Sequence, residues 1–373
     1  MIKIRFPFIV GLVCSGVLLL AGCRDGTQDG QTAIRMDVER TGKPFVDAVL
    51  SVEMIPLEAD DAHLLGSRIG FCLLDDSYLL FDRQNIKIFR YSLDGRFLNE
   101  IGRRGNGPGE YLSLRSVQVL DGRIHVFSLP DTELVYSPDG MLLEQKTGVP
   151  VSFGAFRLET GLLTYFGYSG QKPHRVVFTE DGTGSESGFL NADAKLLSLD
   201  LGNDPFGALP GGGVSILDSY SPVVYQYADN EVRPYVVFDF GKYAIKPAFY
   251  EADDAFKSAE YLMASDYAVI VRYMEGSRHR LVQVSLSDQS TGQGECRYGL
   301  DDGKKWVWFS LSDYGLDDPA PFYCFDGDVL YGVFTAGDLL SMKGALKGKI
   351  ADANILDSLD DTDTYVLAKI HLR

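Results

Sequence analysis

Three heptapeptides decide how this chain is read: Phe89-Arg-Tyr-Ser-Leu-Asp-Gly95, Leu134-Val-Tyr-Ser-Pro-Asp-Gly140 and Val176-Val-Phe-Thr-Glu-Asp-Gly182. In each, an alternating strand runs into an Asp-Gly turn, where glycine supplies the positive φ that such turns need. The terminal glycines stand 45 and 42 residues apart. A four-stranded propeller blade takes roughly 40–50 residues, so the spacing is that of a blade. A second marker, a polar turn leading into an aromatic-rich strand, occurs at Asp76 (Tyr78-Leu-Leu-Phe81), Gly122 (Ile124-His-Val-Phe127) and Gly161 (Leu162-Leu-Thr-Tyr165). Looser copies follow at Ser221 (Val223-Val-Tyr-Gln226), Asp266 (Tyr267-Ala-Val-Ile270) and Gly327 (Val329-Leu-Tyr-Gly332). The intervals are 46, 39, 60, 45 and 61 residues, so two units carry insertions. Six markers predict six blades.

The fold class expected is therefore all-β, a six-bladed β-propeller with short helical insertions. The first blade reads strand by strand as residues 69–74 innermost, then 78–81, 86–91 and an outer 97–101. A propeller closes by pairing strands from opposite ends of the chain, which limits exposed edges. Residues 52–57 at one end and 364–372 at the other alternate as such strands should. Helical insertions are predicted at 252–264 and 339–350. A pair of β-sandwiches is the rival architecture, but Asp-Gly turns at repeating offsets favour blades.

The first segment reads as an address. Lys3 and Arg5 precede an apolar run from Phe6 to Leu20, and small residues lead to Leu20-Ala21-Gly22-Cys23. This is a secretory signal, residues 1–22, ending in a lipobox in which the thiol of Cys23 receives the lipid. The run is interrupted by Pro7 and Gly11 and is shorter than the ~20 apolar residues a membrane helix wants. Residues 23–45 are expected to form a lipid-anchored flexible tether and 46–373 the propeller domain. Arg24 is not the aspartate of the inner-membrane retention rule, so outer-membrane attachment is expected.

The chain has 373 residues, 45% of them hydrophobic, which suits a buried core rather than disorder. With Lys3 and Arg5 removed in the leader, 33 basic side chains face 52 acidic ones, a formal charge of −19. That balance argues against a nucleic-acid partner, because phosphate binding needs clustered Lys and Arg. Cys72, Cys296 and Cys324 remain in the domain, an odd number with no CxxC pattern.

After the outer strand of the first blade comes Ile101-Gly-Arg-Arg-Gly-Asn-Gly-Pro-Gly-Glu-Tyr111. It resembles the Ile-Gly-x-x-Gly-x-Gly-Pro-Gly-Glu-Tyr signature of the TolB-like six-bladed β-propeller lipoproteins. The lipobox, the early Ile55-Pro-Leu-Glu58 strand and the C-terminal strand agree with that family. Thr362-Asp-Thr364 stands where the family has Asn-Pro before its last strand. The resemblance implies a fold and a cell-envelope address and carries no reaction with it. On the residues themselves, Gly105, Gly107 and Gly109 let the loop turn sharply, Glu110 can accept backbone amides and Tyr111 can pack on the blade edge. The functional alternative holds Arg103 and Arg104 at the channel mouth, where they would bind a carboxylate, phosphate or sugar acid.

Other chemistry is sparse. The five histidines, His63, His125, His174, His279 and His371, are scattered without metal-ligand spacing. No GxSxG elbow occurs, and the acidic run 357–363 lacks the order of an EF-hand loop. No metal site, catalytic residue or cofactor is predicted. Trp306 and Trp308 fall on one face of a strand beside Lys304 and Lys305, where they can stack on a sugar ring or fill the wedge between blades. The ligand-binding candidates are thus Arg103, Arg104, Glu110, Tyr111, Trp306 and Trp308. The expected function is that of a non-catalytic, membrane-attached propeller binding a small molecule, glycan or envelope protein. The alternatives are a metal-dependent lyase or lactonase-like enzyme with its site in the channel, and an envelope assembly scaffold.

Overall fold

The computed structural model describes residues 33–37, 44–59, 63–193, 195–198, 204–289, 293–316, 321–359 and 365–373. Residues 1–32, which include the expected leader and Cys23, lie outside them, as does Thr362-Asp-Thr364. The described residues build a six-bladed β-propeller. Blade 1 is Ile69–Leu74, Ser77–Asp82, Lys87–Ser92 and Phe97–Glu100, in that spatial order. Blade 2 runs Ser116–Leu120, Arg123–Ser128, Thr132–Tyr136 and Leu142–Thr147; blade 3 runs Gly154–Leu158, Gly161–Tyr165, His174–Glu180 and Glu186–Asn191. Blade 4 holds Phe206–Ala208, Val214–Leu217, Val223–Ala228 and Glu231–Asp239, and blade 5 holds Tyr267–Glu275, Arg280–Asp288, Gln293–Asp301 and Trp306–Phe309.

Blade 6 is assembled from both ends of the chain. Phe322–Asp326, Val329–Thr335 and Tyr365–Leu372 supply three strands, and Val49–Pro56 closes the sheet antiparallel to the last of them. The register sets Val52 against Ile370 and Ile55 against Leu367. The closing strand then hands over to blade 1: Glu58 N–H donates to Gly95 O at 2.8 Å, and the Glu58 carboxylate accepts Phe97 N–H at 3.0 Å.

The Asp-Gly turns explain the repeat. In blades 1 and 2 the serine of Tyr-Ser-x-Asp-Gly accepts the amide four residues on, at 3.1 Å for Ser92 and 3.2 Å for Ser137. Each hydroxyl also donates to the aspartate two residues on, which fixes the turn before its glycine. Gly95 and Gly140 have φ of 88° and 86°. A Cβ at Gly95 would lie 2.2 Å from Pro56 O, and one at Gly140 would lie 2.8 Å from Glu100 O. These turns therefore press against the outer strand of the preceding blade, which only glycine permits.

Two of the looser markers fall on other strands than expected. Val223–Ala228 is the third strand of blade 4, the second being Val214–Leu217 after the turn at Gly212 and Gly213. Tyr267–Glu275 is the innermost strand of blade 5, because the polar turn before it ends a helical insertion rather than a hairpin. Alternation marks a strand but carries no information about its place in a blade. The insertion at 252–264 contains Ala255–Met263, capped by the Asp254 carboxylate, which accepts Lys257 N–H. The later insertion begins earlier than expected, with Ala336–Met342 behind a Thr335/Asp338 capping box, and a second helix follows at Ala353–Ser358.

The folded body also begins before residue 46. Ile34–Arg35 adds to blade 4 as a fifth strand, parallel to Glu231–Asp239, and Met36 is buried beside Phe238 and Phe240. These positions were expected in the flexible tether. An apolar residue every second position, with a free blade edge to pair with, holds them on the domain instead.

Each pair of neighbouring blades encloses its own apolar cluster. The wedge between blades 2 and 3 is apolar only around Phe127, Val151, Ala155 and Leu162. Beside them lies a buried charged network. His125 Nδ1 and Glu133 Oε1 are 2.9 Å apart, Arg157 Nε donates to Glu133 Oε1 at 2.9 Å, and Arg157 Nη1 donates to Asp181 at 2.9 Å. Burial alone would raise the Glu133 carboxyl, but the hydrogen bonds from His125 and Arg157 and the arginine charge overcome it and hold the group at about 2 against an ordinary 4.5. A depressed carboxyl contributes stability above its unfolded value, and that contribution is lost as pH falls through the folded one. Chemical denaturation at stepped pH should therefore show stability declining from about pH 4.5 toward 2. Glu133→Gln should flatten that decline while lowering stability at pH 7.

Candidate functional site: the central channel

The innermost strands of all six blades converge on one cavity of about 760 Å³. Each contributes an apolar side chain to the wall: Phe71, Val119, Phe156, Phe206, Met274 and Phe325, in blade order. Parallel packing of six first strands around an axis leaves this space because the strands splay outward with blade twist. The aromatic wall continues outward from blade 1 to blade 6, where Phe71 lies 6.1 Å from the ring of Tyr323 and 5.7 Å from that of Tyr331.

Polar groups are set into this wall at a few points. Arg83, in the turn after the second strand of blade 1, pairs with Asp204 at 2.5 Å and donates to Leu114 O at 3.3 Å. Asp204 precedes blade 4, three blades away in a ring of six, so the pair ties opposite sides of the channel. Ser116 of blade 2 donates to Asp204 at 3.2 Å and accepts Ala155 N–H at 3.3 Å. Glu275 of blade 5 accepts the hydroxyls of Tyr235 at 2.9 Å and Tyr273 at 2.5 Å. Arg272 reaches from blade 5 to blade 6: its Nη1 donates to Phe322 O, and its guanidinium lies 4.8 Å over the Tyr323 ring. Gln118 exchanges two hydrogen bonds with the backbone of Arg157, at 2.9 and 2.8 Å, locking the first strands of blades 2 and 3 together.

Cys72 and Cys324 lie on the neighbouring inner strands of blades 1 and 6 and both face the cavity. Burial pushes the Cys72 thiol up to about 12; Asp204 adds to the shift and Arg83 opposes it. Burial likewise pushes Cys324 up, with smaller contributions from Cys72 and Asp326. Both thiols therefore stay protonated near neutrality.

The residues singled out in the sequence lie elsewhere. The loop 101–111 sits on the outer rim between blades 1 and 2, where Gly109 N–H donates to Gln145 Oε1 on the outer strand of blade 2 at 2.9 Å. Glu110 accepts Gly107 N–H at 2.8 Å and Arg103 Nε at 2.6 Å, and Tyr111 is buried with its hydroxyl on Ile101 O at 2.9 Å. Arg103 and Arg104 are exposed there, and neither lines the channel. A connection leaving an outer strand starts at the rim, and these residues complete their turn before the chain moves inward at Ser116. Trp306 and Trp308 stand in the outer strand of blade 5, facing Phe238 of blade 4 at 5.5 and 6.2 Å. They fill the wedge between those blades. Cys23 lies outside the described residues. Arg83, Arg272 and Asp204 were not singled out. Their common signal is position on or beside a first strand, and the shifted marker at Asp266 hides it for Arg272.

A ring of six sheets, five of four strands and one of five, around an apolar channel with inset charges defines the class: a six-bladed β-propeller with a central cavity. The chain belongs to the DUF4934 family (Domain of unknown function), whose model matches residues 37–368. It is similar to the crystal structure of a "Putative exported protein" from Bacteroides fragilis NCTC 9343, with 19% identity and a TM-score of 0.70 over 91% of this chain and 99% of that one. It is more distantly similar to a streptogramin B lyase (9% identity, TM-score 0.46, 87% and 99% covered). For virginiamycin B lyase from Staphylococcus aureus the values are 8% identity, TM-score 0.43, and 85% and 98% covered. No curated protein matches the chain.

The thiol environment has a direct readout. Alkylation at pH 8 followed by peptide mapping should label Cys72 and Cys324 slowly in the folded protein and rapidly once it is denatured. Rapid labelling of either in the native state would contradict the suppressed thiol ionisation.

Proposed function

We propose that this is a lipid-anchored protein of the cell envelope that binds a small molecule in the central channel of its propeller, without catalysis. The channel supports this reading: a cavity of about 760 Å³ with an apolar side chain from every blade and a few inset charged groups. Small-molecule sites have this character, an apolar enclosure of roughly 300–1,000 Å³ with a small number of placed polar groups. The acids on its wall favour binding over metal-dependent lyase or lactonase chemistry. Asp204 and Glu275 already serve Arg83, Ser116 and two tyrosines, and Glu159 is exposed at the rim.

The address rests on the Leu20-Ala21-Gly22-Cys23 pattern and on the resemblance of residues 101–111 to the TolB-like lipoproteins, with outer-membrane attachment through Cys23. A second reading, docking of an envelope protein, draws on helix Ala255–Met263, which leaves Phe256 74% and Met263 69% exposed.

Two measurements test these statements. Cys23→Ser should move the protein from the membrane fraction to the soluble fraction of cells, and retention in the membrane would remove the lipid anchor. A thermal-shift screen of the purified protein against small organic molecules should give hits that Ala208→Trp abolishes. Ala208 is an exposed position on the cavity wall, so the new ring fills the channel without displacing core. Hits that survive Ala208→Trp, or none at all, would refute the channel as the binding site.

A further inference from the structure

Three arginines stand on the channel wall, and two are neutralised in place. Arg83 is paired with Asp204 at 2.5 Å. Arg157 turns its side chain away from the axis to Glu133 and to Asp181, the latter at 2.9 Å. Arg272 is different. Its Nη1 donates to the Phe322 carbonyl and its guanidinium rests on Tyr323, but no carboxylate pairs with it among the described residues. Its other N–H groups have no hydrogen-bond partner there, and none of them is among the buried polar atoms sealed without one, so they remain open to the cavity. The acids of the wall are engaged or distant: Asp204 by Arg83 and Ser116, Glu275 by Tyr235 and Tyr273, while Glu159 is exposed at the rim. A guanidinium in an apolar enclosure carries a desolvation cost that an anion offsets.

Building on the channel reading above, we propose that the ligand is a small carboxylate with an aromatic or aliphatic body. Its carboxylate sits on the free edge of Arg272, and its body lies on the apolar wall around Phe71, Phe156 and Phe325. The planar fork of arginine matches a carboxylate with two parallel N–H donors. One unpaired guanidinium balances one negative charge, which favours a carboxylate over a doubly charged phosphate. Tyr323 fixes the fork from below: its ring carries the guanidinium while its hydroxyl donates to Ile69 O at 3.1 Å, bracing blade 6 against blade 1.

Calorimetry and thermal shift on the purified full-length chain with 3-phenylpropionate, 3-phenylpropionamide and 3-phenylpropylamine test the assignment. The carboxylate should bind at least about tenfold more tightly than the amide or amine. Arg272→Met should lose about tenfold for the carboxylate and leave the amide unchanged, and Arg272→Lys should recover part of the loss. Melting of each variant near the wild-type temperature shows that the fold is intact. Equal binding of carboxylate and amide, or an equal loss of both in Arg272→Met, would overturn the carboxylate and leave channel binding standing. Failure of all three probes beside other hits abolished by Ala208→Trp would do the same. Absence of any such hit counts against the channel reading itself.

Discussion

Everything in this structure depends on ring closure. Six twisted sheets around an axis leave one seam, and an open seam would expose both a strand edge and the apolar face of two blades. Here the seam runs inside blade 6, where Val49–Pro56 from one end of the chain lies against Tyr365–Leu372 from the other. The pairing buries Val52, Met54 and Ile55 on one strand and Val366, Leu367, Ala368 and Ile370 on its partner. Leu367 and Val333 reach toward Phe71, Leu80 and Phe89 of blade 1, and Ile370 joins the cluster shared with blade 5. The closing sheet thus fixes both of its neighbours. Because each apolar wedge joins only neighbouring blades, a break at this seam would loosen the packing on both sides of blade 6.

Closure also determines what the axis looks like. A first strand offers its faces to the wedges on either side and its free edge to the channel, so the space at the centre takes its character from side chains the wedges leave over. That is why the wall is mixed. Arg157 belongs to the wedge between blades 2 and 3, where Glu133 draws it back. Arg272 has no carboxylate partner among the described residues, and the tyrosine and carbonyl that hold it come from the next blade's first strand.

Much of the fold is legible in the sequence because its strongest local signals are also its structural necessities. The Tyr-Ser-x-Asp-Gly turns repeat because each must press against the strand of the blade before it, and a Cβ at Gly95 or Gly140 would collide with backbone there. The closing strands are legible for the same reason, since alternation on both ends must match. Blades 4 and 5 are harder to read. Their turns lack the serine and aspartate pair, and the helical insertion before Tyr267 supplies a polar stretch that imitates a hairpin turn. The site is the least legible part. No motif links Arg83, Asp204 and Arg272, which are 121 and 68 residues apart along the chain, and only a correct assignment of six first strands brings them together.

The glycine-rich loop shows how a strong signature can mark structure rather than chemistry. Arg103 and Glu110 are arranged to complete a turn: Glu110 holds Gly107 and Arg103, and Tyr111 seals the wedge with its hydroxyl on Ile101. A Cβ at Gly102 would meet the Tyr136 hydroxyl at 2.7 Å, and Tyr136 in turn donates to Gly109 O at 2.9 Å, so the loop is locked to the outer half of blade 2 from both of its ends. Such a clasp ties blade 1 to blade 2. Phe71 and Val119, on the first strands of those two blades, line the channel. The most patterned segment of the sequence therefore joins two blades from outside the cavity, while the residues that touch the cavity carry no pattern of their own.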